Sequence, residues 1–332
     1  MSIRRSLLLD GFITLALLAA GGALAQDLAT SMQQKRYGEV RQLALQRIAK
    51  TPNDEQAYRY LARASMQLTQ DVDELERLAA TIKPCLEIIP QSALCHLTMG
   101  EVYGNIALLG GMLKGMRYAS LIKTEFQKAV ALDPKHFGAR YSLNQFYLEA
   151  PSVIGGGLAK AETNTQEFEA LRPGDATLLR ADIYIHSDQF DRASTLLLAA
   201  KPYADPDVAD AQLELLVSLG FRLMNAKHAD KAVPIFEFAR NRYPDDATVQ
   251  LGYGRSQLET GQVDKAIESL RTAVALDARR GAQYRLGVAQ QTKGDKDEAV
   301  KSFRAYLALP AASKNDEAVS DAKKRLDELV RK

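Results

Sequence analysis

The chain has 332 residues, 25% of them charged, a net charge of +2 and no tryptophan. Its charges alternate in sign, as in Lys323-Lys324-Arg325-Leu326-Asp327-Glu328, which argues against the basic stripe with interleaved aromatics of a nucleic-acid surface. Ala, Leu, Arg, Lys, Gln and Glu dominate while β-branched runs are scarce, so long helices are expected.

The first element is a leader. Arg4-Arg5 give a basic start, Phe12 to Ala20 an apolar stretch, and Ala23-Leu24-Ala25 a small-residue site before Gln26. This predicts a secretory signal peptide over 1–25, cut after Ala25, and a periplasmic or secreted product. Asp10 leaves the apolar run shorter than the roughly 20 residues of a membrane span, so no stable membrane insertion is expected after cleavage. No cysteine stands at the cleavage site to carry lipid. Arg4-Arg5-Ser6-Leu7-Leu8 leaves general and twin-arginine export both open.

From Gln26 the sequence falls into helix-length segments closed by prolines. A partial unit carries Tyr37, Val40 and Pro52, and the next holds Leu61, Ala62 and Pro90. A third runs through Gly100, Tyr103, Phe126, Ala129 and Pro134, with an apparent insertion at 110–120. A fourth has Leu143, Tyr147, Ala161, Phe168 and Pro173, its turn expanded at 151–157, where Gly155-Gly156-Gly157 reads as a flexible turn. A fifth holds Ala181, Tyr184, Phe190 and Ala193, and the Pro202 to Pro206 connection after it is the expected lobe boundary.

Beyond residue 212 a period emerges. Gly261-Gln262-Val263-Asp264-Lys265-Ala266-Ile267-Glu268-Ser269-Leu270 matches Gly294-Asp295-Lys296-Asp297-Glu298-Ala299-Val300-Lys301-Ser302-Phe303 at a displacement of 33 residues. Ala229-Asp230-Lys231-Ala232 stands one step earlier in the same register. The predicted organisation is irregular repeats over 26–212, three regular repeats over 213–312 and a capping helix over 313–332.

This pattern resembles the tetratricopeptide repeat. In the unit from Leu213 the family positions fall on Leu216, Leu219, Gly220 and Leu223, then Ala232, Phe236, Ala239 and Pro244. The resemblance implies an all-α fold, a right-handed α-solenoid of about seven to eight helix hairpins with a C-terminal cap. It also implies a concave groove lined by fixed positions of each first helix: Arg59, Arg63, Glu101, Asn105, Tyr141, Gln145, Asp182, His186, Phe221 and Arg255. These lack the repeated Lys and Asn pairs of carboxylate-clamping repeats, so that activity is not carried over. The implied role is an exported scaffold or adaptor that binds a protein or peptide in the cell envelope, without catalysis, with self-association possible. The alternative is an envelope enzyme or small-ligand receptor whose pocket is closed by the two inserted loops, with His136 or His186 facing it.

No Walker loop, nucleophile elbow or dinucleotide fingerprint occurs, and no cofactor is expected. The four histidines, His96, His136, His186 and His228, fall in different units at no metal-ligand spacing, so no metal site is expected. Cys85 and Cys95 each lie five residues from Pro90, level on antiparallel helices, and a disulfide is expected there rather than two buried thiols.

Overall fold

A computed structural model describes residues 28–277, 280–309 and 317–331; the signal peptide expected over 1–25 lies outside the described residues. Among them regular structure is helical, with sixteen α-helices, a short 3-10 turn, helical residues 28–33 and no strand. No helix among them is long and apolar enough to cross a membrane.

The chain divides into two compact units, one through Pro173 and one from Gly174. The division falls one hairpin before the Pro202 to Pro206 connection expected from sequence. In the first unit, residues 28–33 precede α1 (Tyr37–Lys50), followed by the hairpins α2 (Glu55–Leu68) with α3 (Val72–Ile88), α4 (Ala93–Leu109) with α5 (Gly111–Leu132), and α6 (Phe137–Glu149) with α7 (Leu158–Glu169). The second holds α8 (Pro173–His186), α9 (Phe190–Ala199), α10 (Pro206–Asn225), α11 (Ala229–Arg242), α12 (Ala247–Glu259), α13 (Val263–Leu276), α14 (Arg280–Lys293), α15 (Lys296–Ala308) and α16 (Glu317–Arg331). Within each unit consecutive helices pack against each other, and first helices sit side by side: α2, α4 and α6 in the first unit, α10, α12 and α14 in the second.

Several helices start at a side chain that satisfies a free backbone N–H group. Asp54 accepts from Ala57 N, Asp71 from Glu74 N, Ser92 from Cys95 N and Asp246 from Val249 N. Hairpins then close by fitting a large side chain of the second helix onto a glycine of the first. A Cβ on Gly220 would lie 2.5 Å from the Phe236 ring, one on Gly254 2.7 Å from Leu270, and one on Gly287 2.8 Å from Phe303; Gly100 faces Phe126 in the same way. Only the absent side chain lets these helices approach so closely. The 33-residue displacement also repeats a buried hydrogen bond: Ser269 Oγ donates to Gln257 Oε1 (2.9 Å) and Ser302 Oγ to Gln290 Oε1 (2.7 Å).

Two stretches differ from the sequence expectation. Residues 110–120 are no inserted loop: Gly110 and Gly111 make a tight turn, with Gly111 at φ +72°, and the rest lengthens α5 to 22 residues. Ala, Leu, Met and Arg around the glycines are good helix formers, and only the turn needs glycine. The 151–157 segment is a turn, as expected, but one closed by hydrogen bonds. Gly157 N donates to Tyr147 O (2.7 Å), Gly156 N to Pro151 O (3.2 Å), and Lys160 Nζ to Gly155 O (2.9 Å). Gly155 and Gly157 hold φ of +108° and +139°, and a Cβ on Gly156 would overlap Ala150 O.

Cys85 of α3 and Cys95 of α4 are joined by a disulfide with Cα atoms 5.7 Å apart, and both are fully buried among Leu75, Ile82, Met99 and Val102. At the other end α16 covers the last hairpin, placing Ala322 against Phe303 and Tyr306. Tyr284 Oη donates to Asp321 Oδ2 (2.6 Å), which also accepts from Arg325 Nε (2.5 Å). Burial works against ionisation of Asp321, but the bonds from Tyr284 and Arg325 outweigh it and hold the carboxyl below the usual carboxylate range. A carboxyl held low in the folded state contributes stability that is present above its unfolded pKa and lost as pH falls through the folded one. Asp321→Asn should therefore flatten the loss of stability below about pH 4. Urea titrations at a series of acidic pH values check this, and an unchanged acid limb would contradict it.

Candidate partner-binding site

The first-helix positions read from sequence do not all reach solvent. In the first unit, the Arg59 side chain is 9% exposed and bonds Glu101 on the neighbouring first helix, Nη1 lying 3.1 Å from Oε2 and 3.3 Å from Oε1. Two expected partner contacts thus satisfy one another. Asn105, one turn beyond Glu101, donates to its carbonyl (3.1 Å). On α6 the Tyr141 ring is buried, stacked on Phe137 at 5.6 Å, and its hydroxyl accepts from Gln145 Nε2 (2.8 Å). Arg63, Glu101, Asn105 and Gln145 remain partly exposed along α2, α4 and α6.

In the second unit Asp182 is buried on α8, with His186 half-buried one turn on. Phe221 of α10 is half-buried, edge-on to Phe236 at 5.2 Å and 68°. Arg255 of α12 bonds Glu259 on its own helix (2.9 Å). The ten positions fall in two sets, Arg59 to Gln145 in one unit and Asp182 to Arg255 in the other.

The opposite, second-helix side of the first unit carries two depressions the sequence did not announce. One of about 460 Å³ is lined by Gln127, Arg140, Tyr147, Lys160, Thr163 and Glu167. Arg140 is buried and bonds Glu167 (2.8 Å), Asn164 Oδ1 (3.1 Å) and Pro134 O (3.2 Å), so its charge is spent on the hairpin. A second, of about 500 Å³, is bordered by Pro90, Gln91, His96, Glu125 and Lys128. There buried His96 places Nδ1 2.5 Å from Glu125 Oε2 and Nε2 3.3 Å from Pro90 O. Residues 29 positions apart give no periodic signal, which is why this pair escaped the sequence reading.

These two depressions do not bring residues 110–120 and 151–157 together. Neither depression includes residues 110–120, and His136 is occupied as the cap of α6, its Nδ1 accepting from Ala139 N (3.3 Å). His186 belongs to the other unit. Among the described residues no group of three or more His, Cys, Asp or Glu is placed to hold a metal ion.

Comparison with known proteins agrees with this architecture. Models of the tetratricopeptide repeat match residues 223–290 and 282–309. Residues 223–309 therefore carry tetratricopeptide repeats, and such repeats support a protein-binding scaffold. No curated protein matches it. Among solved structures, yeast Tom70 is similar at 17% identity and a TM-score of 0.57, covering 89% of this chain and 60% of its own. The APC/C hetero-tetramer Cut9-Hcn1 is similar at 16% identity and a TM-score of 0.48, covering 91% and 55%. The chain thus spans less than two thirds of either structure, and at these identities the likeness to Tom70 bears on the fold alone.

Proposed function

We propose that this chain is an exported scaffold that holds a protein or peptide of the cell envelope against its first helices, by equilibrium recognition and without catalysis. The observation that carries the reading is the row of first helices in each unit, which exposes polar and charged groups beside aromatic ones: Arg63, Asn105 and Gln145 in the first, Phe221 and Arg255 in the second. Such a surface suits an extended segment or a partner helix, with aromatic anchors for affinity and charges for register. Export is supported by the leader over 1–25 and by the buried disulfide, which persists in an oxidising compartment.

The test is capture of envelope proteins by the mature chain and by Arg63→Ala and Phe221→Ala variants. Hot-spot truncations remove about 1–2 kcal/mol or more, so capture should weaken roughly fivefold to thirtyfold for each. Unchanged capture with both side chains altered would remove this face from consideration. Mass determination of the exported chain should place its first residue at Gln26.

A further inference from the structure

The α4–α5 hairpin outgrows its neighbours. α5 has 22 residues against 13 in α6 and 12 in α7, and the 151–157 turn meets α5 only near Lys123. The start of α5 and the end of α4 therefore overhang that flank by about 15 Å. The overhang is apolar and bare: Leu108, Met112, Leu113 and Met116 are 79%, 82%, 83% and 61% exposed. Added side chains at Gly104 and Gly111 would meet nothing, so there is open room beside both helices. The overhang is also held in place, because Lys114 and Tyr118 both bond Glu76 of α3 and Tyr118 packs on Tyr103 at 5.4 Å.

Its charges are self-complementary. From Val102 to Thr124 there is no acidic residue, while Arg117 is exposed one turn behind the apolar tip. Beside it, at the N-terminal end of α3, Asp71, Asp73 and Glu74 are exposed. The Lys114–Glu76 pair fixes that end of α3 level with the start of α5. An anionic bilayer receiving Met112 and Leu113 would also meet these three carboxylates, which disfavours it. A second copy does not have that conflict. Turned about a two-fold axis, it sets its Arg117 against the first copy's acids and vice versa while the apolar tips cover each other.

We infer that the α4–α5 overhang, with Arg117 and the acidic start of α3, is an isologous interface through which two copies of this chain pair. Residues 104–120 fall a little short of the roughly 20–30 residues a side of a standard interface, and the α3 acids extend the patch toward it.

Sedimentation equilibrium of the mature chain, over a roughly hundredfold range of concentration, tests this. The expected result is a mass rising from one chain to two. Leu113→Asp, at an exposed position, should keep the circular dichroism of the parent, and its melting temperature at dilutions where both are single chains, yet weaken pairing by about tenfold or more. Arg117→Glu should weaken pairing as well, and adding Asp73→Lys and Glu74→Lys should restore it. A wild-type monomer at every concentration, or a Leu113→Asp chain that pairs as tightly as its parent, overturns the inference. So does a monomer that sediments with phosphatidylglycerol vesicles or takes up a different envelope protein through Met112 and Leu113.

Discussion

Phe236→Ala is expected to lose about 3–5 kcal/mol of stability, measured by urea unfolding followed by circular dichroism. The ring is fully buried, and it occupies the space left by glycine on two successive first helices, Gly220 of α10 and Gly252 of α12. Truncation opens one cavity bordered by both hairpins, where the glycines have no side chain to close it. Phe221 also loses the edge contact that orients it, so capture of a partner on that face should fall with stability. Gly252→Ala should approach the same loss from the opposite direction, by driving a Cβ into the ring. A loss below about 1 kcal/mol for Phe236→Ala would mean that the ring is not the element joining the two hairpins.

The second large effect is on the disulfide. Replacing Cys85 and Cys95 together by alanine should lower stability by about 2–3 kcal/mol, the magnitude expected for a closed loop of this short length. Both sulfurs lie in the core of the first unit, so the loss includes some packing. Reductant applied to the parent chain should reproduce the shift, and that chain should show no reactive thiol before reduction. A parent chain that unfolds at the same urea concentration with and without reductant would argue against any structural role for the bond.

The regular hairpins were legible in the sequence because their contacts lie within one period. Gly254 meets Leu270 and Gly287 meets Phe303 at the same spacing, so the displacement by 33 announces both packing and register. What lay hidden depends on longer separations or on context. Gly110, Gly111 and Gly115 read as breakers, although only the turn requires glycine and Gly115 continues a helix. Gly155-Gly156-Gly157 read as slack for the same reason, since composition does not reveal that Tyr147 O and Lys160 close the turn.

For the candidate residues, placement on first helices was legible in the sequence and exposure was not. Register places Arg59, Tyr141 and Asp182 on first helices, but it cannot tell that all three are buried, with Arg59 paired to Glu101 42 residues away. The shift of the unit boundary from Pro202–Pro206 to Pro173–Gly174 has a similar origin. Proline marks where a helix must stop, whereas the density of contacts decides where a unit ends.

The sharing of the Phe236 ring by Gly220 and Gly252 bears on how the second unit can be cut or extended. Repeat boundaries in the sequence are not boundaries in the packing, since a truncation between α11 and α12 leaves half of a ring unsupported. A chain ended at Pro244 should therefore be prone to aggregate through that exposed ring. The junction after α13 is no freer, since Ile267 and Leu270 share a core cluster with Leu286 and Ala289 of the next first helix, α14.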